Sequence, residues 1–448
     1  MSEGRNSSFQ PAIRGDRLPR SLVAIVLLAV VLRGLVAVLT RSWHFSPERG
    51  FWAFGYEMGQ IAAALARGDG FAWPGPPPEP TAWMPPLYPA VMAAAFWLWG
   101  TFSPQAALAL ELLQVGAAAV TCVLLYYLGA RLYHRHAGLW AALLFAVYPP
   151  AIHFAVQKIW ATSLFTACFL GCVLMCLRTA EHPSVAAGVR LGALLAVTVL
   201  LDPTALSAYP FLLAWLWWYA AGERRTRTQV VAATLLTLGI GITPWLIRNS
   251  LVFGQFMFVK SNFGHELYVG NNEKATGYYG EHVRAIQDEL TGQVPTTLLS
   301  DAERETVKSA NEAQRNALYQ HKAVDFIAEH PLRFLQLTAL RTMLFWVYVP
   351  YTNTLQGVIT LLIYLTVLVL ALGGLYVSGV PRQSQLLWVS LLSLPTPYYV
   401  TIIAHGRYRF LVEVLLMVSA GAALAWIMAR MTQRFAEDNR QVQPALRV

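Results

Sequence analysis

The chain has 448 residues, of which 56% are hydrophobic and only 13% charged, and its mean hydropathy is +0.46. A soluble protein of this length needs a charged surface, so the composition excludes an ordinary soluble protein and indicates several membrane spans. The net charge of +9 does not indicate a nucleic-acid partner, because no segment combines clustered Lys and Arg with the motifs of such a module.

Twelve apolar segments are long enough to be considered as membrane spans. Two are expected to lie at the membrane surface, because 84–101 has three prolines near its start and 334–350 carries Arg341 and ends at Pro350. Without these two, the basic loops fall on the side of the N-terminus, as the positive-inside rule requires. The sequence predicts an all-α polytopic membrane protein of about 10–12 helices, both termini inside, with clear spans at 20–41, 106–129, 137–154, 158–178, 186–202, 204–221, 228–248, 354–378, 384–403 and 409–430.

This topology predicts two long outer segments, at 42–105 and 249–352. The first contains the Pro-rich run PGPPPEP, which must be an irregular loop. The second contains a capping-box pattern at Ser300 and Glu303, which begins a polar helix that extends to about Glu329. The chain therefore divides into a transmembrane module with the first outer loop, a second outer loop with interfacial helices, and C-terminal transmembrane helices, at 1–248, 249–352 and 353–448.

Polar and ionisable side chains gather at the outer ends of the predicted spans. Such groups are costly at membrane depth and usually line a cavity or a pathway, so their distribution predicts a polar cavity in the outer leaflet. A transporter should instead place them near the midplane. Arg33, inside the first span, departs from the pattern, and we expect it to pair with a neighbouring span or to extend toward the surface. The residues at the outer ends are Glu111, His153, Gln157, Lys158, Asp202, Arg248, Asn249, His405, Arg407, Arg409 and Glu413.

The run HGRYRF, at 405–410, opens the last predicted span. Arg407 and Arg409 could clamp a phosphate by bidentate hydrogen bonds, and Tyr408 could cover an apolar chain or a sugar face. The alternative is an interfacial anchor in which Arg409 pairs with Glu413 one turn later. We favour the phosphate site, because paired arginines are disfavoured on the outer side unless an anion needs them.

A short interfacial helix with a glycine stop is predicted in the first outer segment, from WAFGYE at 52–57 onward. Glu57 is the single carboxylate on it and lies near the apolar face, where partial loss of water would make it a stronger base for an acceptor hydroxyl. The alternative is a solvated acid or a partner of Arg67. Asp69 and Glu79, in turn-like sequence, are the other candidate acids. The four cysteines all lie in apolar runs, so neither a disulfide framework nor a metal site is predicted.

Several motifs follow one another around the two outer segments: GYEMGQIAAALARGDGF after the first span, TAWMPPLYP at 81–89, LDPTALSAYP at 201–210, TPWLIRNSLVFGQF at 243–256, LYVGNN at 267–272, and HGRYRF. Together they resemble the membrane-embedded GT-C glycosyltransferases of the protein O-mannosyltransferase and aminoarabinose-transferase type, family 39. The resemblance covers nearly the whole chain and implies the GT-C fold.

The resemblance also implies an inverting transferase that takes a sugar from a polyprenyl-phosphate carrier at the outer membrane face. A first-loop carboxylate would act as base on the acceptor, cations would hold the phosphate leaving group, and the second outer loop would shape the sugar and acceptor pockets. The implied base is Glu57 or Asp69. The implied phosphate-binding residues are Arg407, Arg409, Lys158 and Arg248, and the implied substrate-binding residues are Tyr408, His405, His265, Glu266 and Tyr88.

One departure from the family pattern concerns the base. Many relatives begin the first-loop helix with an Asp about one turn earlier, where this chain has Ala53 and Phe54. Glu57 lies on the same helical face one turn later, so it can substitute, with Asp69 or Glu79 as the other choices. The resemblance requires no cofactor, and no metal site is expected, although a divalent metal is compatible with the family.

The expected partners are a polyprenyl-phosphate-linked sugar, a glycan, lipid or protein acceptor, and membrane lipid. An Arg-rich and Lys-poor chain suggests a GC-rich bacterium, so we expect a multi-pass protein of the bacterial inner membrane with its active site on the periplasmic side of the cell envelope. Two alternatives stay open. A transporter or flippase of a lipid-linked saccharide would use the same arginines without a base, and an inactive assembly subunit would need neither.

Overall fold

The computed structural model of the protein describes residues 18–44, 54–277, 298–347, 354–379, 381–401 and 405–442, and nearly all regular structure in these ranges is helical. The helices up to the first long polar segment are α1 (Arg20–Thr40), α2 (Tyr56–Arg67), α3 (Leu87–Trp99), α4 (Pro104–Leu132), α5 (Arg135–Val147), α6 (Pro149–Val156), α7 (Thr162–Glu181), α8 (Val185–Leu201), α9 (Tyr209–Tyr219) and α10 (Arg224–Phe253). A 3-10 turn, Pro203–Ser207, precedes α9.

The later helices are α11 (Phe263–Gly270), α12 (Asp301–Ser309), α13 (Glu312–Glu329), α14 (Pro331–Val347), α15 (Leu355–Ser378), α16 (Arg382–Ser393), α17 (Thr396–Val400) and α18 (His405–Val442). Two short strands, β1 (Ala72–Trp73) and β2 (Glu79–Pro80), pair antiparallel between α2 and α3. The predicted all-α class is therefore confirmed, apart from this small hairpin.

Six described helices are long and apolar enough to cross a membrane: α1, α4, α7, α10, α15 and the Gly406–Arg434 part of α18. The pair formed by α5 and α6, bent by 56°, would be a seventh span. Three further predicted spans are shorter than the roughly 20 residues that a bilayer needs, since α8 has 17 residues, α9 has 11 and α16 has 12. Between α8 and α9 the cause is Asp202 and Pro203, which end one helix and begin the 3-10 turn.

The two segments expected at the membrane surface form α3 and α14, of 13 and 17 residues. The predicted polar helix of the second outer segment is two helices, because Asn311 interrupts it. Its side chain accepts from Gln314 N at 2.9 Å and starts α13 with a capping box of its own. The capping box predicted at Ser300 is confirmed at the start of α12.

The last span lies at the centre of the helix bundle. Of the residues in its most apolar stretch, 83% are buried, whereas the same share is 22% in α1 and 17% in α10. Those two helices therefore present most of their surface to lipid. Small residues permit its close packing: a Cβ at Gly374 of α15 would overlap the Ser419 carbonyl, and one at Gly421 would overlap that of Ala137 in α5. Close backbone approach through glycine is a common means of helix association in membranes.

Arg33 is fully buried in α1 and contacts the bend between α5 and α6. Its guanidinium donates to the carbonyls of Ala146 at 3.1 Å and Phe145 at 3.4 Å, the last residues of α5 before the bend, and to Ala29 at 3.0 Å. Carbonyl groups freed by a helix break must be satisfied inside the membrane. The expectation that Arg33 pairs with a neighbouring span is therefore confirmed.

The two predicted outer segments pack against each other at one end of the bundle. Glu79 of the first segment forms an ion pair with Arg315 of the second at 2.8 Å. Glu312 of α13 accepts hydrogen bonds from the first segment as well. We call this unit the loop layer; it comprises α2 to α3 with the hairpin, and the chain from the end of α10 through α14.

Candidate active site

A cavity of about 50 Å³ lies where the loop layer meets the ends of α7, α8 and α18, and it has room for several water molecules. Its polar lining comes from Asp202, Lys260, Tyr398, Arg407 and Tyr408. The apolar lining includes Met58, Met84, Pro85, Phe165, Leu201 and Leu394. A polar cavity at the end of the bundle that bears the loop layer is what the one-sided distribution of ionisable residues predicted.

Two cations, Lys260 and Arg407, line this cavity beside the carboxylate of Asp202. Burial lowers the pKa of Lys260, and the carboxylates of Asp202, Glu266 and Glu57 oppose that lowering. Glu57 and Asp202 also lie close enough to Arg407 to act on its charge. Apart from Lys260 and Glu266, which are six residues apart, these side chains come from distant parts of the chain, so the fold brings them together.

Glu57 is fixed by the way in which α2 begins. The helix starts directly after Gly55, whose φ of 63° lies in the left-handed region that favours glycine. A Cβ on Gly55 would lie 2.7 Å from the carbonyl oxygen of Ile159 and 2.7 Å from the Trp160 ring. Glu57 therefore occupies the first turn of α2, where the helix dipole stabilises a carboxylate. The predicted glycine stop is confirmed at Gly68, while the residues before Phe54 lie outside the described chain.

Arg407 is aimed into the cavity by aromatic rings. Its guanidinium carbon lies 4.3 Å from the centre of the Trp160 ring, and its Nη2 donates to the Tyr408 hydroxyl at 3.1 Å. Tyr408 in turn stacks on Tyr398, with 4.3 Å between ring centres. Within the described residues neither Arg407 nor Lys260 forms an ion pair, so both positive charges remain available to a ligand.

The structure does not bring Arg409 to the cavity. Its side chain is 5% exposed, its Nε donates to Glu413 at 2.8 Å, and its Nη1 donates to the carbonyl of Phe345 at 3.1 Å. Residues two apart on a helix point roughly 200° apart, so Arg407 and Arg409 cannot both face one ligand. The predicted two-arginine clamp is corrected accordingly, and the alternative pairing of Arg409 with Glu413 is what the structure has.

The other two predicted phosphate-binding cations differ in position. Lys158 lies beside the cavity, with its ammonium 5.9 Å from the centre of the Trp160 ring that also contacts Arg407, and burial lowers its pKa. Arg248 instead donates to the carbonyls of Thr81 at 2.6 Å and Phe71 at 2.7 Å. Arg248 therefore connects the end of α10 to the first outer segment, and its guanidinium is occupied by backbone.

Some of the predicted substrate-binding residues lie at the cavity and others do not. Tyr408 lines the cavity, whereas Tyr88 is 1% exposed in the core and donates to Gln114 at 3.1 Å. Burial raises the pKa of Glu266 to about 7, with Lys260 lowering it and Glu57 raising it further. His405 begins α18, but its side chain lies outside the described part of the structure.

His265 lies beside Glu266 and is 5% exposed. Its ring packs edge-on against Trp83 and Tyr319, with ring centres 5.2 and 5.8 Å apart. Neither ring nitrogen has a hydrogen-bond partner within the described residues, and burial lowers the pKa of His265 to about 4. A neutral imidazole with open hydrogen-bonding capacity is suited to a ligand hydroxyl.

Among the acids weighed from the sequence, Glu57 lies close enough to Lys260 and Arg407 to act on their charges, and the other two lie elsewhere. Asp69 follows the other end of α2, about 18 Å along a helix of 12 residues, where it bonds Arg67 at 2.9 Å. Glu79 pairs with Arg315 on the surface.

Asp202 and Lys260 were not among the predicted site residues. Asp202 caps the 3-10 turn, accepting at Oδ1 from the backbone and hydroxyl of Thr204 at 3.1 and 2.8 Å. Its position in the motif LDPTALSAYP was the available signal. Lys260 is one of only five lysines in an Arg-rich chain. The rarity of lysine was the one feature of the sequence that singled out Lys260.

No three His, Cys, Asp or Glu side chains in the described ranges converge closely enough to hold a metal ion.

The structure is similar to solved membrane enzymes. An archaeal oligosaccharyltransferase from Archaeoglobus fulgidus, in its apo form, aligns with 94% of this chain and 52% of its own, at a TM-score of 0.55 and 14% identity. The oligosaccharyltransferase AglB of the same organism, in complex with an inhibitory peptide and a dolichol-phosphate, aligns with 94% of this chain and 51% of its own. The TM-score is 0.55 and the identity 13%. ArnT from Cupriavidus metallidurans aligns with 90% of this chain and 78% of its own at 15% identity, with a TM-score of only 0.37.

The chain thus spans about half the length of the archaeal enzymes. No protein-family model matches it, and no curated protein is significantly similar in sequence. The structural similarity shows that the chain has the GT-C fold, as the order and spacing of its motifs predicted.

Proposed function

We propose that the protein is a membrane-embedded inverting glycosyltransferase, which moves a sugar from a polyprenyl-phosphate carrier to an acceptor. The observation that supports this most directly is the cavity lined by the cations Lys260 and Arg407, with the carboxylate of Glu57 near enough to act on both charges. The fold supports the same reaction class, and a protein of this fold has been solved with a dolichol-phosphate, which is a polyprenyl phosphate.

The cations would act on the leaving group. When the bond between the sugar C1 and the phosphate oxygen breaks, its electron pair stays on the phosphate, which gains negative charge. Fixed cations already aimed at that oxygen lower the barrier, because they need no reorganisation during the reaction. We assign this role to Arg407 and Lys260, with Lys158, which also lies near the Trp160 ring, as a further contact.

Glu57 would act as the general base. As the acceptor oxygen forms its bond to C1 from the face opposite the phosphate, its proton passes to the Glu57 carboxylate, and the configuration at C1 inverts. Asp202 also faces the cavity, but its Oδ1 already accepts from Thr204. Within the described residues no donor occupies Glu57 in this way.

The sugar and the acceptor would bind toward the loop layer. His265 offers two unpartnered ring nitrogens there, and Glu266 lies beside it. We infer that the acceptor is a glycan, lipid or protein, and that the reaction takes place on the periplasmic side of a bacterial inner membrane. The supporting features are the basic loops at the opposite end of the bundle and the cavity under the loop layer.

The test is transfer of labelled sugar. Protein purified in detergent is incubated with membrane lipid extract that carries radiolabelled polyprenyl-phosphate sugars, and release of label from the carrier is measured for the wild type and three variants. Glu57→Gln and Arg407→Ala should abolish release, and Glu57→Gln should still bind the lipid. Asp69→Asn is the matched control, because it removes an acid charge just beyond the other end of α2, away from the cavity.

The competing assignments make different predictions. Loss of transfer in Asp69→Asn with retention in Glu57→Gln would move the base to Asp69. Retention of label by every form, with lipid binding intact, would contradict a transferase and favour a flippase of the lipid-linked saccharide.

A further inference from the structure

Glu312 is a buried carboxylate that receives four hydrogen bonds and lies outside the cavity lining. It is 4% exposed, in the first turn of α13. Its Oε2 accepts from the Thr81 hydroxyl at 2.6 Å and from the Trp73 indole at 3.3 Å. Its Oε1 accepts from Ala82 N at 2.7 Å and from the hydroxyl of Ser261. All four donors are neutral, and the guanidinium of Arg248, which bonds the Thr81 carbonyl, lies close enough to Glu312 for the two charges to interact.

The donors belong to the two chain segments that flank the cavity. Ala82 stands two residues before Met84, which lines the cavity, and Ser261 directly follows Lys260. Ser261 N also donates to the carbonyl of Ala82 at 3.0 Å, so the two segments are joined by backbone next to the carboxylate. Glu312 therefore fixes the distance between two walls of the cavity.

The segment that carries Lys260 is held from its other side by the end of α10. The Trp245 indole donates to the carbonyl of Val259 at 2.9 Å, and Asn249 donates to that of Phe258 at 2.9 Å. The backbone just before Lys260 is thus anchored to α10, and the backbone just after it is anchored to Glu312. Lys260 itself has no ion-pair partner among the described residues that could hold its ammonium group in place.

We infer that Glu312 is a positioning residue, which sets the direction of the Lys260 side chain through Ser261 and the neighbouring Thr81–Ala82 backbone. The role of Lys260 toward a phosphate rests on the proposed function, whereas its dependence on Glu312 does not. Glutamine replaces the carboxylate incompletely, because its amide nitrogen faces either Ala82 N or the Trp73 indole, neither of which can accept a hydrogen bond. The Ser261 and Thr81 hydroxyls can turn to accept from that nitrogen, but the N–H group beside it loses its acceptor, which loosens the contact between Glu312 and the cavity walls.

The first test needs no ligand. Full-length protein in nanodiscs is treated with a small amine-acetylating reagent, and the acetylation rate of Lys260 is followed by peptide mass spectrometry, with the exposed Lys308 as internal reference. In Glu312→Gln the rate at Lys260 should rise several-fold relative to Lys308, because the half-buried ammonium group gains access to water. Glu79→Gln is the matched control, since Glu79 joins the same two segments through Arg315 without touching Ser261.

Ser261→Ala keeps the test decisive if Glu312→Gln fails to fold. It removes only the hydrogen bond between the carboxylate and the residue after Lys260. The rate at Lys260 should again rise, by a smaller factor. An unchanged rate at Lys260 in folded Ser261→Ala, or an equal rise in Glu79→Gln, would overturn the inference.

A second measurement connects the residue to the proposed reaction. Binding of undecaprenyl phosphate is compared in wild type, Glu312→Gln, Lys260→Ala and the double variant. Glu312→Gln should weaken binding about tenfold in the wild-type background and hardly at all in Lys260→Ala, because the two residues act as one unit. Equal losses in both backgrounds would contradict action through Lys260. Failure of the wild type to bind the lipid would count against the proposed function only, because the acetylation result stands apart from it.

Discussion

The ring of Trp160 is shared by two cations, with the Arg407 guanidinium carbon 4.3 Å and the Lys158 ammonium 5.9 Å from its centre. Gly55, at the start of α2, packs against the same side chain. One aromatic residue therefore sets the position of the candidate phosphate ligands relative to the carboxylate of Glu57. A flat ring can do this because it attracts cations to its face while it offers an apolar surface to the backbone at its edge.

Arg407→Lys should weaken the binding of undecaprenyl phosphate about tenfold although it keeps the charge. A lysine cannot form a bidentate pair with phosphate, and it loses the stacked position on Trp160. The measurement is lipid affinity in nanodiscs, with Arg430→Lys, near the other end of α18, as the control for the same chemical change. Wild-type affinity in Arg407→Lys would mean that the guanidinium does not meet the phosphate.

Arg409→Ala should destabilise the protein by about 3–5 kcal/mol, because it leaves the carboxylate of Glu413 buried without its partner. Arg407→Ala should destabilise the protein by less than Arg409→Ala, since Arg407 contacts Trp160 and Tyr408 but leaves no buried ion-pair partner behind among the described residues. Thermal unfolding in detergent measures both. Equal melting temperatures for the two variants would contradict the division between a structural and a ligand-binding arginine.

Gly55→Ala and Gly68→Ala form a matched pair at the two ends of α2. Both glycines have positive φ, so each substitution should cost about 1 kcal/mol or more in backbone strain. A Cβ at Gly68 meets nothing within 4 Å, whereas one at Gly55 meets Trp160 at 2.7 Å and displaces the start of α2. Only Gly55→Ala should reduce sugar transfer, by at least about tenfold, because Glu57 moves away from the cations. Similar transfer rates in the two variants would contradict this.

The affinity for lipid phosphate should fall as pH rises through about 7, where Glu266 loses its proton. Below that pH the side chain of Glu266 is neutral and does not compete for Lys260 and Arg407. Above it the Glu266 carboxylate competes with the lipid phosphate for these two cations. His265 stays neutral throughout, because burial keeps its pKa at about 4. The phosphate itself titrates at about pH 6 and works in the opposite direction.

Glu266→Gln isolates the contribution of the carboxylate to this pH dependence. The variant should retain only the rise in affinity that comes from the phosphate. Identical pH profiles in the wild type and Glu266→Gln would remove Glu266 from the site. The same raised pKa predicts that folding stability is lost as pH rises from 4.5 toward 7, because the unfolded state releases the proton first.

The fold class could be predicted because apolar runs and loop charges are local properties of the sequence. The cavity at one end of the bundle could be predicted for the same reason, since ionisable residues at span ends recur along the chain. The number of long helices could not be predicted, because apolar segments such as 204–221 are long enough for full spans. In the structure Pro203 and the 3-10 turn shorten α9 to 11 residues.

The site itself could be predicted in part. Arg407 was chosen from its chemical type and local sequence, and it lines the cavity, whereas the choice of Glu57 as base stays a prediction that its nearness to Lys260 and Arg407 supports. Arg409 was assigned to the same phosphate site as Arg407 because the two residues are close in sequence. The helix, however, points their side chains in different directions. The place of Lys260 depends on bonds that its neighbours Val259 and Ser261 make with residues 14 and 51 positions away from them, and no local pattern carries that information.

The contact between Arg33 and the bend of α5 and α6 has a consequence for biosynthesis. The acceptors of the arginine, at Phe145 and Ala146, are made more than 110 residues after it. Until they leave the ribosome, α1 holds a charge that the lipid interior tolerates poorly. The first helix should therefore remain beside the insertion machinery until the bent pair emerges, and removal of α5 and α6 together should leave α1 prone to slip out of the bilayer.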